Sequence, residues 1–132
     1  MNMKKEVIFT KKGPKPAGCY SQGIKAGDLV YVSGQVGIDP ETGELVAPGD
    51  IKVQTERTLK NIALILESVG LTLNNVIKTT VFIDDIDKFQ SFNQVYSEFF
   101  ISDPPARSTV EISRFMKGIC IEIEAIAIDD RS

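Results

Sequence analysis

Histidine is absent from this 132-residue chain, and that absence excludes whole classes of chemistry. Ser-His-Asp and Cys-His catalysis, HExxH metal sites and histidine-based zinc sites are all ruled out. Cysteine is scarce: Cys19 and Cys120 have no metal-type spacing and read as free thiols of a reducing cytoplasm. No apolar run has transmembrane length, and Met1-Asn2-Met3-Lys4-Lys5-Glu6 carries charge with no apolar stretch behind it, so no secretory signal is expected. There is no Walker loop and no GxGxxG following a strand. A basic excess is also missing. Fifteen Lys and Arg face eighteen Asp and Glu, for a net charge of −3, and no basic stripe is interleaved with aromatics. Binding to a phosphate backbone is therefore poorly supported. Proton transfer near neutrality would fall to a perturbed carboxylate, Lys, Cys or Tyr.

The composition, 42% hydrophobic, suffices for one domain with a real core, expected to span residues 1–132. Glu6–Thr10 reads as a first strand, followed by a Gly/Pro-rich loop, Lys12 to Gly18. Ile24–Ala26 and Leu29–Ser33 flank Gly27-Asp28, the pattern of a hairpin with a two-residue turn. Gly34, in Ser33-Gly34-Gln35, marks either a bulge or close backbone approach, or simply a packing glycine. From about Asp50 to Val69 the apolar period is helical, with Asp50 placed as N-cap and Gly70 as the stop. Val76–Ile83 reads as a strand. A second helix, about Lys88 to Phe100, carries an aromatic stripe that reads as core, with Asn93 its polar residue of interest.

The most informative segments are Pro104-Pro105-Ala106-Arg107-Ser108-Thr109 and Ile119 to Ile128, Ile-Cys-Ile-Glu-Ile-Glu-Ala-Ile-Ala-Ile. The second suits a buried strand, where carboxylates are unfavourable unless paired, hydrogen-bonded or neutralised. Arg107 with Glu122 and Glu124 suggests a small-anion pocket containing an acid/base group. Two plainer readings stay open: Arg107 as a surface or ion-pair arginine, and the glutamates as a solvated sheet face. Cys120, Ile126 and Ile128 share the parity of the glutamates, so water is not expected to cover that face throughout.

The expected order is β-β-β-α-β-α-β-β, an α+β sandwich with two helices on one face of the sheet. Two helices cover one face only, yet the last strand is apolar on both. An obligate oligomer with functional interfaces is therefore expected.

Ser33-Gly34-Gln35, Lys78-Thr79-Thr80-Val81-Phe82, Pro105-Ala106-Arg107-Ser108 and Ile121-Glu122-Ile123-Glu124-Ala125 together resemble the RidA/YjgF family of imine/enamine deaminases. The resemblance runs in order along nearly the whole chain. It implies a chorismate-mutase-like fold (Bacillus type), mostly antiparallel, assembled as a homotrimer with three inter-subunit clefts. It implies hydrolysis of reactive 2-imino acids, such as 2-iminobutanoate and 2-iminopropanoate released by pyridoxal-phosphate dehydratases, to 2-oxo acids and ammonia. This is metabolite damage control, and it requires no metal or cofactor. Arg107 matches the family's carboxylate-binding arginine and Glu122 the glutamate that handles water. Tyr20, Ser33, Gly34, Asn93 and Thr109 match positions that line the cleft.

Three departures stand out. Cys19 precedes Tyr20 where many relatives have proline, Thr109 replaces a cysteine of some members, and Ile101-Ser102-Asp103 is a short connection. Two other functions remain beside the deaminase. One is a regulatory protein that binds small carboxylates in the same pocket. The other is an endoribonuclease or translation inhibitor, which the acidic charge and missing histidine oppose.

Overall fold

A computed structural model describes residues 4–131. The first three residues, on which the reading of the N-terminus partly rests, lie outside the described residues, as does Ser132. Among the described residues, six strands and two α-helices follow the expected order: β1 Lys5–Ile8, β2 Gly23–Ala26, β3 Leu29–Gln35, α1 Ile51–Glu67, β4 Val76–Ile83, α2 Phe89–Phe99, β5 Ala106–Glu111 and β6 Ile121–Ile128. Short 3-10 turns, Leu73–Asn75 and Ile86–Lys88, precede β4 and α2.

Local chemistry explains where most of these elements begin and end. Asp50 caps α1, its carboxylate accepting from the N–H groups of Lys52 and Val53. Gly70, at φ +79°, takes the left-handed conformation that ends the helical path. Gly27, at φ +61°, turns the β2–β3 hairpin. The first strand, expected at Glu6–Thr10, instead pairs over Lys5–Ile8, because Thr10 is recruited into the following loop by the side chain of Gln22.

One sheet carries all six strands in the order β1-β2-β3-β6-β4-β5. The last strand in sequence thus sits between β3 and β4, antiparallel to both, while β4 and β5 are parallel. Both helices lie on one face. Leu59, Ile62, Ile65 and Leu66 of α1 and Phe92 of α2 pack there on Val30, Val81, Ile121 and Ile123, all almost fully buried.

Alternation along β6 divides its residues cleanly. Ile121, Ile123, Ala125 and Ala127 face the helices and are buried, whereas Glu122, Glu124, Ile126 and Ile128 face the other side and keep exposure. Cys120 ends up outside this alternation: it precedes the strand, and its thiol is buried beside Lys88. The open face also presents Tyr31, opposite Ile126, and Val110, both more than 40% exposed. These apolar side chains are left uncovered by the chain itself.

Candidate active site

The residues singled out in the sequence gather into two groups. Glu122 anchors the first. It pairs with Phe82 across β4, on the face away from the helices. On its other side the β3–β6 register shifts between Val32 and Gln35, so that Ser33 and Gly34 form a bulge. The bulge presses the glycine backbone toward the carboxylate. A Cβ built on Gly34 would lie 2.8 Å from the carboxyl carbon of Glu122, so only glycine fits without displacing it.

Ser33 is fixed by two hydrogen bonds. Its hydroxyl donates to the Ser21 carbonyl at 2.5 Å, and its N–H donates to the Gln22 carbonyl at 2.9 Å. Tyr20 stands at the rim, half exposed, its hydroxyl accepting from the Ala17 N–H at 3.1 Å. Tyr20, Ser33, Gly34, Glu122 and Glu124 line one open concavity of about 560 Å³. Burial pushes the Glu122 carboxyl above its ordinary range, and the nearby charge of Glu124 adds to the shift. Among the described residues no group hydrogen-bonds the Glu122 carboxylate.

Arg107 anchors the second group. It lies on edge strand β5 opposite Thr79, whose other neighbour is Ala125, so its side chain takes the helix side of the sheet. There its Nη1 donates to Asn93 Oδ1 at 2.9 Å. Its guanidinium carbon lies 4.7 Å from the ring centre of Tyr96 and 5.4 Å from those of Phe89 and Phe92. Tyr96 is itself tied to Thr79 by a 2.7 Å hydroxyl–hydroxyl hydrogen bond. Cation–π contact and one amide hold the fork in place. No carboxylate pairs with it among the described residues, so its charge is free for an anion. Arg107, Asn93 and Tyr96 line a concavity of about 370 Å³. Thr109 lies two residues along the same strand face, and its hydroxyl is buried without a hydrogen-bond partner.

Tyr20, Ser33, Gly34 and Glu122 therefore converge, and so do Arg107 and Asn93 with Thr109 close by. The two groups do not meet within one chain, because they occupy opposite faces of the sheet. The aromatic platform under Arg107 escaped the sequence reading. The spacing of Phe89, Phe92 and Tyr96 was legible as an apolar stripe, but nothing local indicated that an arginine of β5 would lie across it. No cluster of three or more His, Cys, Asp or Glu side chains suited to a metal occurs among the described residues. Among the described residues no helix is long and apolar enough to cross a membrane.

The family model described as endoribonuclease L-PSP matches residues 10–129. A RutC family protein of Pyrococcus abyssi is 56% identical over 125 residues, covering 95% of this chain and 98% of its own. The 2-iminobutanoate/2-iminopropanoate deaminase of Rattus norvegicus is 42% identical over 124 residues, covering 94% and 90%. Among solved structures, E. coli TdcF with bound serine superposes with a TM-score of 0.87 at 39% identity, over 96% of this chain and 99% of that one.

Proposed function

Since the chain belongs to the RidA/YjgF family, we propose that it hydrolyses 2-imino acids, such as 2-iminobutanoate and 2-iminopropanoate, to 2-oxo acids and ammonia. One observation carries this reading: a guanidinium held open on an aromatic platform coexists with a carboxylate whose pKa is raised and whose oxygens are unengaged. The pair suits a substrate with a carboxylate to grip and a C=N carbon to hydrate.

In this mechanism the Arg107 fork holds the planar carboxylate through two parallel charge-assisted hydrogen bonds. Asn93 and the three rings keep the fork from swinging. Ionised Glu122 takes a proton from water as the water oxygen bonds to the carbon of the protonated imine, whose nitrogen becomes a neutral amine. Glu122 then returns that proton to the nitrogen. Collapse of the tetrahedral intermediate breaks the C–N bond as its hydroxyl gives its proton back to ionised Glu122, releasing ammonia and the 2-oxo acid. A carboxyl with a raised pKa is suited to both transfers near neutrality. Such imines also hydrolyse unaided, so positioned acid/base catalysis of roughly 10²–10⁴-fold is sufficient. Tyr20, Ser33, Gly34 and Thr109 form the walls.

The reading includes assembly. Because Arg107 and Glu122 face opposite ways, a complete site takes one from each of two copies, and the uncovered apolar face of the sheet supplies the contact. We assign the assembly as a homotrimer with three clefts, each chain one domain. The cytoplasm, where the unpaired Cys19 and Cys120 would stay reduced, is its assigned place. A solution mass near that of one chain would contradict the assembly.

The bound serine of TdcF favours a second reading, a regulatory protein that binds small amino or oxo acids without turnover. One experiment separates the two. The release of 2-oxobutanoate by a threonine dehydratase is followed with and without the protein, using semicarbazide to trap free imine. Hydrolysis predicts faster release and less trapped imine, lost in Arg107→Ala and in Glu122→Gln. No acceleration by the assembled protein, with ligand binding retained in Glu122→Gln, would leave the binding reading.

A further inference from the structure

Three fully buried amides hold a third concavity in shape. Gln22 donates to the carbonyls of Thr10 and Pro14, at 3.1 and 2.8 Å, and accepts from the Thr10 N–H at 2.7 Å. Asn61 donates to the carbonyls of Val36 and Ile38, at 3.2 and 2.8 Å. Gln54 donates to those of Ala47 and Gly118, at 3.1 and 2.8 Å, and accepts from the Cys120 N–H at 2.8 Å. None of the three is more than 1% exposed. A buried amide is unfavourable unless its hydrogen bonds are made. These make theirs to loops that wall a single hollow of about 620 Å³. Its walls are set before any ligand arrives.

This hollow adjoins the Glu122 concavity. Tyr20 and Gly34 line both. Beyond that boundary the lining is mainly apolar, with Val36, Ile38, Pro40, Met116 and Ile119 beside the polar Gln35 and Thr42. Lys11, Lys15 and Glu41 also border it, but they are exposed and keep their charges in water.

We propose that this hollow receives the side chain of the imino acid, and that the substrates best served carry apolar side chains of about four carbons or more. The inference rests on the hydrolytic reading of the Glu122 site. A 2-imino acid gripped at its carboxylate and attacked at its C=N carbon has one substituent left to place. Beside Glu122 the wall without a side chain is Gly34, and past Gly34 lies the apolar hollow. A methyl or ethyl group leaves that volume to water, whereas a longer chain displaces the water from apolar wall, at about fourfold in affinity for each methylene buried.

The test uses the assembled protein and imines generated in place by an amino-acid oxidase from alanine and from norleucine, with semicarbazide as trap. The expected kcat/KM for 2-iminohexanoate exceeds that for 2-iminopropanoate by about tenfold or more. Met116, 81% exposed, tolerates a large replacement. Met116→Trp narrows the hollow and is expected to lower the ratio of the two rates. Calorimetry with the products, 2-oxohexanoate and pyruvate, should show the same order of affinity. Equal kcat/KM for the two imines, equal affinity for the two oxo acids, or a ratio unchanged by Met116→Trp would each overturn the proposal. Tighter binding of 2-oxohexanoate with no imine hydrolysed would overturn the deaminase reading and leave the subsite standing.

Discussion

Arg107 and Glu122 project from opposite faces of the same sheet. Arg107 is in register with Thr79 and, through it, with Ala125 on the helix side, whereas Glu122 is in register with Phe82 on the open side. Side chains alternate strictly along a strand, and a packed sheet lies between the two groups. No rotamer change brings them together. Any chemistry that uses both draws them from two molecules.

Complementation follows from that geometry. Chains carrying Arg107→Ala and chains carrying Glu122→Gln are each expected to be inactive alone. Co-refolded in equal amounts, they should recover about one quarter of parental activity, since about that share of interfaces pairs an intact arginine with an intact glutamate. Imine hydrolysis by the mixed oligomers reads this out. Activity no higher than that of either variant alone would mean that each site is built from one chain.

Gly34 tests the close approach at the bulge. The methyl of Gly34→Ala would meet the carboxyl carbon of Glu122 at 2.8 Å and its Cγ at 3.1 Å. The group it meets is the end of a flexible side chain, so the fold should persist while the carboxylate moves. A loss of about 10²-fold in kcat is expected, with circular dichroism and melting close to parental. Parental kinetics would show that the position of the Glu122 carboxylate is not critical.

The raised pKa of Glu122 couples stability to pH in a fixed direction. Burial, then the charge of Glu124, holds its carboxyl above the ordinary range. Between the unfolded value and the raised one, the folded chain keeps a proton that the unfolded chain has lost, so stability falls as pH rises through that window. Glu122→Gln is therefore expected to raise Tm at about pH 7 and to leave it unchanged near about pH 3, measured by thermal melts. Glu124→Gln removes the smaller cause and lowers the pKa of Glu122. The acid limb of kcat/KM should then move to lower pH, because the proposed hydrolysis starts from ionised Glu122. A limb that stays in place would dissociate Glu124 from the acid/base group.

Gln54 is the amide with the widest reach, joining α1 to the loops at Ala47 and at Gly118–Cys120. Gln54→Leu keeps the volume and leaves the Cys120 N–H unpaired, and the Ala47 and Gly118 carbonyls keep only their backbone partners, the N–H groups of Asp50 and Gly49. A destabilisation of about 2 kcal/mol is expected in urea unfolding. A cost below about 0.5 kcal/mol would mean that water or a shifted loop satisfies those groups.

The sequence by itself determined the elements and their order. Asp50, the apolar stripe through Leu66 and Gly70 delimit α1, Val76–Ile83 emerged as β4 with its observed ends, and Gly27-Asp28 turned the hairpin as expected. These signals are local: a cap, a period or a positive φ acts within a turn or two of chain. Tertiary structure decided what each candidate residue faces. Placing β6 between β3 and β4 set Glu122 against the bulge at Gly34, and the parallel pairing of β5 with β4 turned Arg107 onto the rings of α2. Gln54 and Asn61 fell outside the apolar stripe read for α1, yet they are buried because loops far away in sequence need their hydrogen bonds. Strand register is fixed by contacts between residues distant in sequence, and a one-residue shift would exchange the faces of Arg107 and Glu122. Local pattern therefore supplied the chemical groups, and the packing of distant segments decided which of them meet.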